Sequence, residues 1–163
     1  MSVGSLYQYY PSKEALVAAV IERHMGDMTA MLKEASVTLA PLPLADATRA
    51  IIRVMIEAHA LEPKLHRVLV EQIPRVGTLE RIERLDEEAC ALVRLWLELH
   101  QNEIAVKDLD LASFVVVTTV EALTHAAVLR RPAVLEKLDV FVDEVAKLVV
   151  GYLQGGGPCY DVS

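Results

Sequence analysis

The sequence predicts an all-α protein, and three observations carry that prediction. Apolar residues recur three and four apart through most of the chain, the spacing that lines one face of a 3.6-residue helix. Pro41, Pro43, Pro63, Gly77, Pro132 and Gly155 mark the ends of these periodic stretches. No strand-plus-turn pattern is present, nor a repeat, nor a low-complexity block.

The elements follow in order. Ser12 is a good N-cap, and Glu14 stands in the first turn, facing the positive helix end. Leu16, Ala19, Val20, Arg23, Met28, Met31, Leu32 and Ala35 then recur at helical spacing and predict one long helix over about 12–38, broken by Pro41-Leu42-Pro43. A second helix over about 44–61 carries the stripe Ala47, Ile51, Val54, Met55 and Ala58. Glu62-Pro63 ends it, because a residue before proline disfavours helix. A third, over about 63–75, carries Leu65, Val68, Leu69, Gln72, Ile73 and Val76, with Gly77 as its C-cap. Thr78 opens a fourth over about 79–101, with Ile82, Leu85, Ala89, Leu92, Val93, Trp96 and Leu99 on its apolar side.

A polar loop runs from Gln101 to Asp110. The fifth helix, about 110–130, contains Val115-Val116-Val117-Thr118-Thr119-Val120, a strand-prone run that is read as helix because it lies in a long apolar stretch without turn signals. Arg130-Arg131 suit its negative end and Pro132 stops it. The sixth, about 133–153, has an apolar arc from Val134 through Leu138, Phe141, Val142, Val145, Leu148 and Val149 to Leu153. That arc is wider than the roughly 100° stripe a surface helix needs. It is expected to pack against its own domain and against another chain. Gly155-Gly156-Gly157-Pro158 opens a flexible tail, residues 155–163.

The chain has 163 residues, 53% of them apolar, enough for one domain with a real core, and this excludes intrinsic disorder. Its net charge is −7, so any contact with nucleic acid has to be confined to a local patch. Cys90 and Cys159 make no disulfide framework and no CxxC pair; Cys90 is expected to be buried and inert, Cys159 exposed. The opening MSVGSLYQYY lacks the basic and apolar regions of a signal peptide, so a reducing cytoplasm is the expected location. Leu111 to Leu129 carries Glu121 as its one formal charge and is long enough to span a bilayer. Ser113, Thr118, Thr119, Thr124 and His125 within it favour a helix buried in a soluble bundle, with no membrane partner.

The informative motif is at the start. Of eight aromatic residues in the chain, Tyr7, Tyr9 and Tyr10 stand together there. Gly4 and Ser5 allow a helix start to approach another surface closely. Tyr7 and Tyr9 project hydroxyl-tipped rings, and Lys13 puts a positive charge at a helix N-terminus, where backbone N–H groups suit a phosphate. Short polar side chains early on a helix, flanked by phosphate donors, are the layout of a recognition helix in a major groove.

Gly4-Ser5-Leu6-Tyr7-Gln8-Tyr9-Tyr10-Pro11-Ser12-Lys13-Glu14 closely resembles the recognition helix and following helix start of the TetR family of transcriptional repressors. The resemblance implies base-edge contacts from Gly4, Ser5 and Tyr7 and phosphate contacts from Tyr9 and Lys13. It divides the chain into a helix-turn-helix remnant (1–16), a TetR-like helical ligand-binding and dimerisation domain (17–154) and the tail. In that family two helices precede the recognition helix, roughly a further 40 residues. Operator binding is therefore expected only of a chain that carries them, and weak or absent binding of the 163-residue chain alone. The expected partners are a second copy, operator DNA on that condition, and a small apolar or amphipathic effector.

For the body, the resemblance implies an effector cavity. Met55, His59, Leu69, Ile73, Leu92, Trp96, Phe114, Thr118 and Glu121 are candidate lining residues, although apolar stripes of this kind equally describe an ordinary core. Glu121 is expected to pair with His125, four residues on, or with a partner chain; a cavity anchor is the sharper alternative. The last two helices are expected to form a two-fold four-helix interface through Val128, Leu138, Val142, Val145 and Val149. No cofactor and no metal site is expected, since no three or four ligands converge by spacing. The alternatives are a dimeric small-molecule-binding protein without DNA binding and an all-helical enzyme. The enzyme is disfavoured because no nucleophile–base set or phosphate loop can be assembled.

Overall fold

A computed structural model describes Tyr10, residues 12–61, Pro63, Lys64, Arg67 and residues 79–156. Among the described residues the chain is all-α, with five α-helices: α1 (Lys13–Leu39), α2 (Leu44–Leu61), α3 (Leu79–Leu99), α4 (Leu109–His125) and α5 (Leu138–Leu153). The predicted third helix lies almost wholly outside the described residues; Pro63, Lys64 and Arg67 are helical.

Local chemistry sets most of the boundaries. The Ser12 hydroxyl accepts from the Ala15 N–H at 3.1 Å and starts α1. Glu103, in the short 3-10 turn Gln101–Glu103, reaches across the fold and accepts from the Leu44 N–H at 3.0 Å, capping α2 from a distant segment. Asp108 accepts from the Leu111 N–H at 2.9 Å at the start of α4. Gly155 adopts a φ of 72° after α5, and the Gly156 N–H reaches back to the Gly151 carbonyl at 2.8 Å, a left-handed helix stop open to glycine.

Two predicted helices are less regular than expected. The fifth is α-helical only to His125; Ala126–Arg130 wind as a π-helix. The sixth begins as a 3-10 turn, Pro132–Lys137, because Pro132 brings no N–H and the Val134 N–H bonds back to Arg131. The valine–threonine run of α4 is helical throughout.

The core joins α2, α3, α4 and α5 through Leu44, Ile52, Ile56, Trp96, Leu97, Val116, Val120, Val142, Val145, Val149 and Leu153. α4 packs mainly on α3, α5 mainly on α2, and α1 lies across α2 and α3. The buried side of α2 runs through Leu44, Ala47, Thr48, Ile52, Ile56 and His59, so it overlaps the predicted stripe at Ala47, keeps Ile51 and Met55 at its margin, and is rotated toward Ile52 and Ile56. Asp46, Arg49, Arg53 and Glu57 form the polar side of this helix, and within the broad apolar arc that remains packing chooses the centre. Arg49–Asp143 and Arg53–Asp139 fasten α2 to α5, and Arg94–Asp110 fastens α3 to α4, all at the solvent edge, where such pairs contribute little.

Candidate functional site

Polar and ionisable side chains enter the interior where α1, α2, α3 and α4 meet. His59 is 6% exposed, and its Nδ1 donates to the Met55 carbonyl one turn back at 2.7 Å. The His125 ring of α4 lies 5.2 Å from the His59 ring, centroid to centroid, tilted by 60°. Burial is the main reason that the His59 pKa falls to about 4; the positive charges of His125 and of His24 on α1 push the same way. Burial also lowers His125. Both rings are therefore neutral at physiological pH.

Glu121, one turn before His125, is half-buried, and its pKa rises to about 7 because of burial first and the nearby Asp86 carboxylate second. No hydrogen bond or ion pair joins it to His125, contrary to the expectation from their spacing. Burial pulls both groups to their neutral forms, which removes the charges such a pair needs. Asp86 is raised by burial and by Glu83, and the half-buried Cys90 thiol is raised by burial, Asp86 and Glu121, so its reactive thiolate is disfavoured.

A second polar feature lies further along α3. Trp96 is 6% exposed, its ring lies 4.7 Å from that of His100 at a tilt of 43°, and its indole N–H has no hydrogen-bond partner. The hydroxyl of Thr48, buried on α2, has none either. Buried polar atoms of this kind are rare, because each forgoes its bonds to water. His100 places one ring nitrogen 2.9 Å from the Trp96 carbonyl and the other 3.0 Å from the Leu42 carbonyl, tying the end of α3 to the α1–α2 turn.

The structure therefore divides the predicted lining residues. Met55, His59, Leu92, Trp96 and Glu121 are buried or half-buried. Phe114 is 57% exposed and Thr118 is also exposed, so these two face outward on α4 and line no interior. Leu69 and Ile73 lie outside the described residues, as do Gly4, Ser5, Tyr7 and Tyr9; Lys13 is exposed at the first turn of α1. His24, Asp86 and Cys90 belong to the junction and were not singled out from the sequence as lining residues. Each stands on a helix that reads as solvated or merely amphipathic, and only packing brings them to Glu121 and His59.

The predicted interface residues also need correction. Val128, Val142, Val145 and Val149 are each at most 3% exposed, and the last three belong to the chain's own core; Leu138 is half-buried against it. They are already covered by α2 and α4, so they present no surface to a second chain. The apolar surface that is free lies on the other side of the same helices. Leu111 and Phe114 on α4, and Leu148 and Tyr152 on α5, are exposed, and a shallow groove between the helices is lined by Val115, Thr119, Leu148 and Tyr152.

The stretch Leu109–Arg130 is long and apolar enough to cross a membrane by length and composition, with 44% of its apolar window buried inside the fold. No group of three or more metal-ligating side chains converges among the described residues. A family model described as Tetracyclin repressor-like, C-terminal domain, matches residues 43–153, more than half of the chain. No curated protein and no solved structure matches the chain significantly.

Proposed function

From the premise that the chain belongs to the TetR family through this C-terminal domain, we propose that it is a ligand-responsive transcriptional regulator, a cytoplasmic dimer that releases operator DNA when a small apolar or amphipathic effector binds its helical body. The observation that carries the reading is the interior polar junction within that domain. A helical body that served only as packing would have no use for a neutral histidine pair beside a carboxyl group with its pKa near 7, nor, further along α3, for an indole N–H without a partner. Met55, His59, Leu92, Trp96 and Glu121 are the proposed contacts to the effector.

α1 is the proposed lever. It runs 27 residues from the DNA-reading motif, packs on α2 and α3, and carries His24 beside His59. A shift at the junction is thereby transmitted to Lys13 and the proposed contacts Gly4, Ser5, Tyr7 and Tyr9. Such coupling is reciprocal, so operator DNA must weaken the effector by the same factor. The dimer is proposed to form through Leu111, Phe114, Leu148 and Tyr152, the uncovered sides of α4 and α5.

The test takes the product of the complete reading frame and selects duplexes from a random pool. A gel shift at low salt should show specific binding that is lost on adding compounds chosen because they raise the melting temperature. Failure to select any duplex, or binding indifferent to every stabilising compound, overturns the reading.

A further inference from the structure

Two buried polar side chains make no hydrogen bond among the described residues, and both stand near the same fastening. They are the indole N–H of Trp96 on α3 and the hydroxyl of Thr48 on α2, in residues only 6 and 4% exposed. A buried donor in this state forgoes its bonds to water, and such an atom points to a further group that it binds. The end of α3 is tied to the start of α2 at two points. A His100 ring nitrogen lies 3.0 Å from the Leu42 carbonyl, and Glu103 accepts from the Leu44 N–H at 3.0 Å. Trp96 is four residues before His100, and Thr48 is four residues after Leu44. Each therefore stands one helical turn, about 6 Å, along its helix from that fastening. Ala47, next to Thr48, shares one buried cluster with Trp96 and Leu97.

The nearest ring does not satisfy the indole. His100 lies 4.7 Å from Trp96, but both its nitrogens are already within hydrogen-bond distance of backbone carbonyls, those of Trp96 and Leu42. An indole N–H only donates, and a threonine hydroxyl can turn its proton toward the same acceptor. Two donors hold nothing for a cation. An anion is opposed by the Glu103 carboxylate at the fastening, and Leu44, Ala47 and Leu97 offer it no counter-charge. What fits is an uncharged oxygen with two lone pairs and no proton of its own to place.

We propose that Trp96 and Thr48 form a subsite for a carbonyl oxygen, to which the indole N–H and the threonine hydroxyl both donate. The subsite rests on the reading of the helical body as an effector-binding domain and adds the chemical class of the effector: a neutral ketone, ester or amide. The fastening holds both donors in place before binding, so little ordering is left when the oxygen arrives.

The 163-residue chain tests this with 2-pentanone and 2-methyl-1-pentene, a pair of one shape in which a methylene group replaces the ketone oxygen. Trp96 is the one tryptophan, so its indole proton gives a single resonance. The ketone should move that resonance downfield and the alkene should not. Titration gives an affinity for each probe, and their ratio compared between proteins cancels the different hydration of the two probes. The ketone-to-alkene ratio should fall about tenfold in Trp96→Phe and about threefold in Thr48→Val. Without either probe, Thr48→Val should melt no lower than the wild type, because it removes an unpaired hydroxyl and keeps the shape. The wild-type resonance and Thr48→Val decide the matter even if Trp96→Phe fails to fold. No downfield shift with the ketone, an unchanged ratio in a folded variant, or a lower melting temperature for Thr48→Val would each overturn the subsite. Operator DNA enters none of these measurements, so the subsite can stand where the regulatory reading fails, and the reverse.

Discussion

α5 carries two valine- and leucine-rich sides that look alike in sequence and behave differently in the fold. Val142, Val145 and Val149 are buried in the chain's own core, at 0, 3 and 2% exposure, while Leu148 and Tyr152, interleaved with them, stand 55 and 37% exposed. The inner side is shaped by α2, whose buried residues Leu44, Ile52 and Ile56 belong to the same cluster. The outer side borders a shallow groove against α4, lined there by Val115 and Thr119, and Leu111 and Phe114 of α4 are exposed as well. Hydrophobicity thus says that a helix has two apolar sides; it does not say which one the chain covers itself.

The sharpest way to break this comparison is the same substitution on each side. Val145→Glu puts a carboxylate among fully covered methyl groups with no polar partner. It should cost about 4 kcal/mol or more, enough to unfold a marginal domain. Phe114→Glu with Leu148→Glu replaces two exposed side chains and should leave the helical circular dichroism intact while halving the mass by light scattering. Any fall in melting temperature should then depend on protein concentration, as expected when a dimer is lost. If Val145→Glu gave a folded monomer and the outer pair an unchanged dimer, the two sides would have been assigned the wrong way round.

A second contrast lies within the polar junction, where burial shifts two kinds of group in opposite senses. The folded value of Glu121 is raised from 4.5 to about 7, so its neutral form is favoured; the stability this brings is full below about 4.5 and lost as pH rises toward 7. The folded value of His59 is depressed from 6.5 to about 4, so its contribution is present above 6.5 and lost as pH falls toward 4. Between about 4.5 and 6.5 the two slopes oppose each other, and above 7 the ionised Glu121 alone remains a penalty. Glu121→Gln should therefore raise stability at pH 8 by about 2 kcal/mol, discounted for its partial exposure, and change it little at pH 4.5. Urea unfolding at the two pH values measures the difference. An equal effect at both would mean that the side chain acts through shape and not through charge.

The sequence made the element boundaries legible because single residues decide them. Ser12 and Asp108 accept from the first turns, Pro132 interrupts hydrogen bonding, and Gly155 takes a conformation other residues avoid. Which side of each helix turns inward was less legible. On α2 the apolar residues Ile51, Ile52, Val54, Met55 and Ile56 spread over an arc wider than one buried stripe, so its centre is fixed by neighbours distant in the chain. His59 and Glu121 were visible as polar residues on apolar helices. Their surroundings were not, since Asp86 and His24 acquire meaning only when α3 and α1 pack beside them. The Glu121–His125 spacing suggested an ion pair, but spacing carries no information on desolvation, and burial neutralises both groups.

The smallest expected effect sharpens the comparison at the end of α5, where its inner side meets the loop before α4. Leu153 is fully buried, and its carbonyl accepts from the Ala105 N–H at 2.8 Å, so the loop is held against the helix terminus. Gly155 closes that terminus with its φ of 72°, and a Cβ built there would stand 3.1 Å from the Cβ of Ala105. Gly155→Ala therefore meets both a disfavoured backbone conformation and a tight contact with the loop it positions. The expected loss is about 1 kcal/mol, seen as a lower urea midpoint with an unchanged slope. If Gly155→Ala with Ala105→Gly recovered none of that loss, the cost would lie in the backbone conformation alone; partial recovery would assign the remainder to the contact that seats the loop on the inner side of α5.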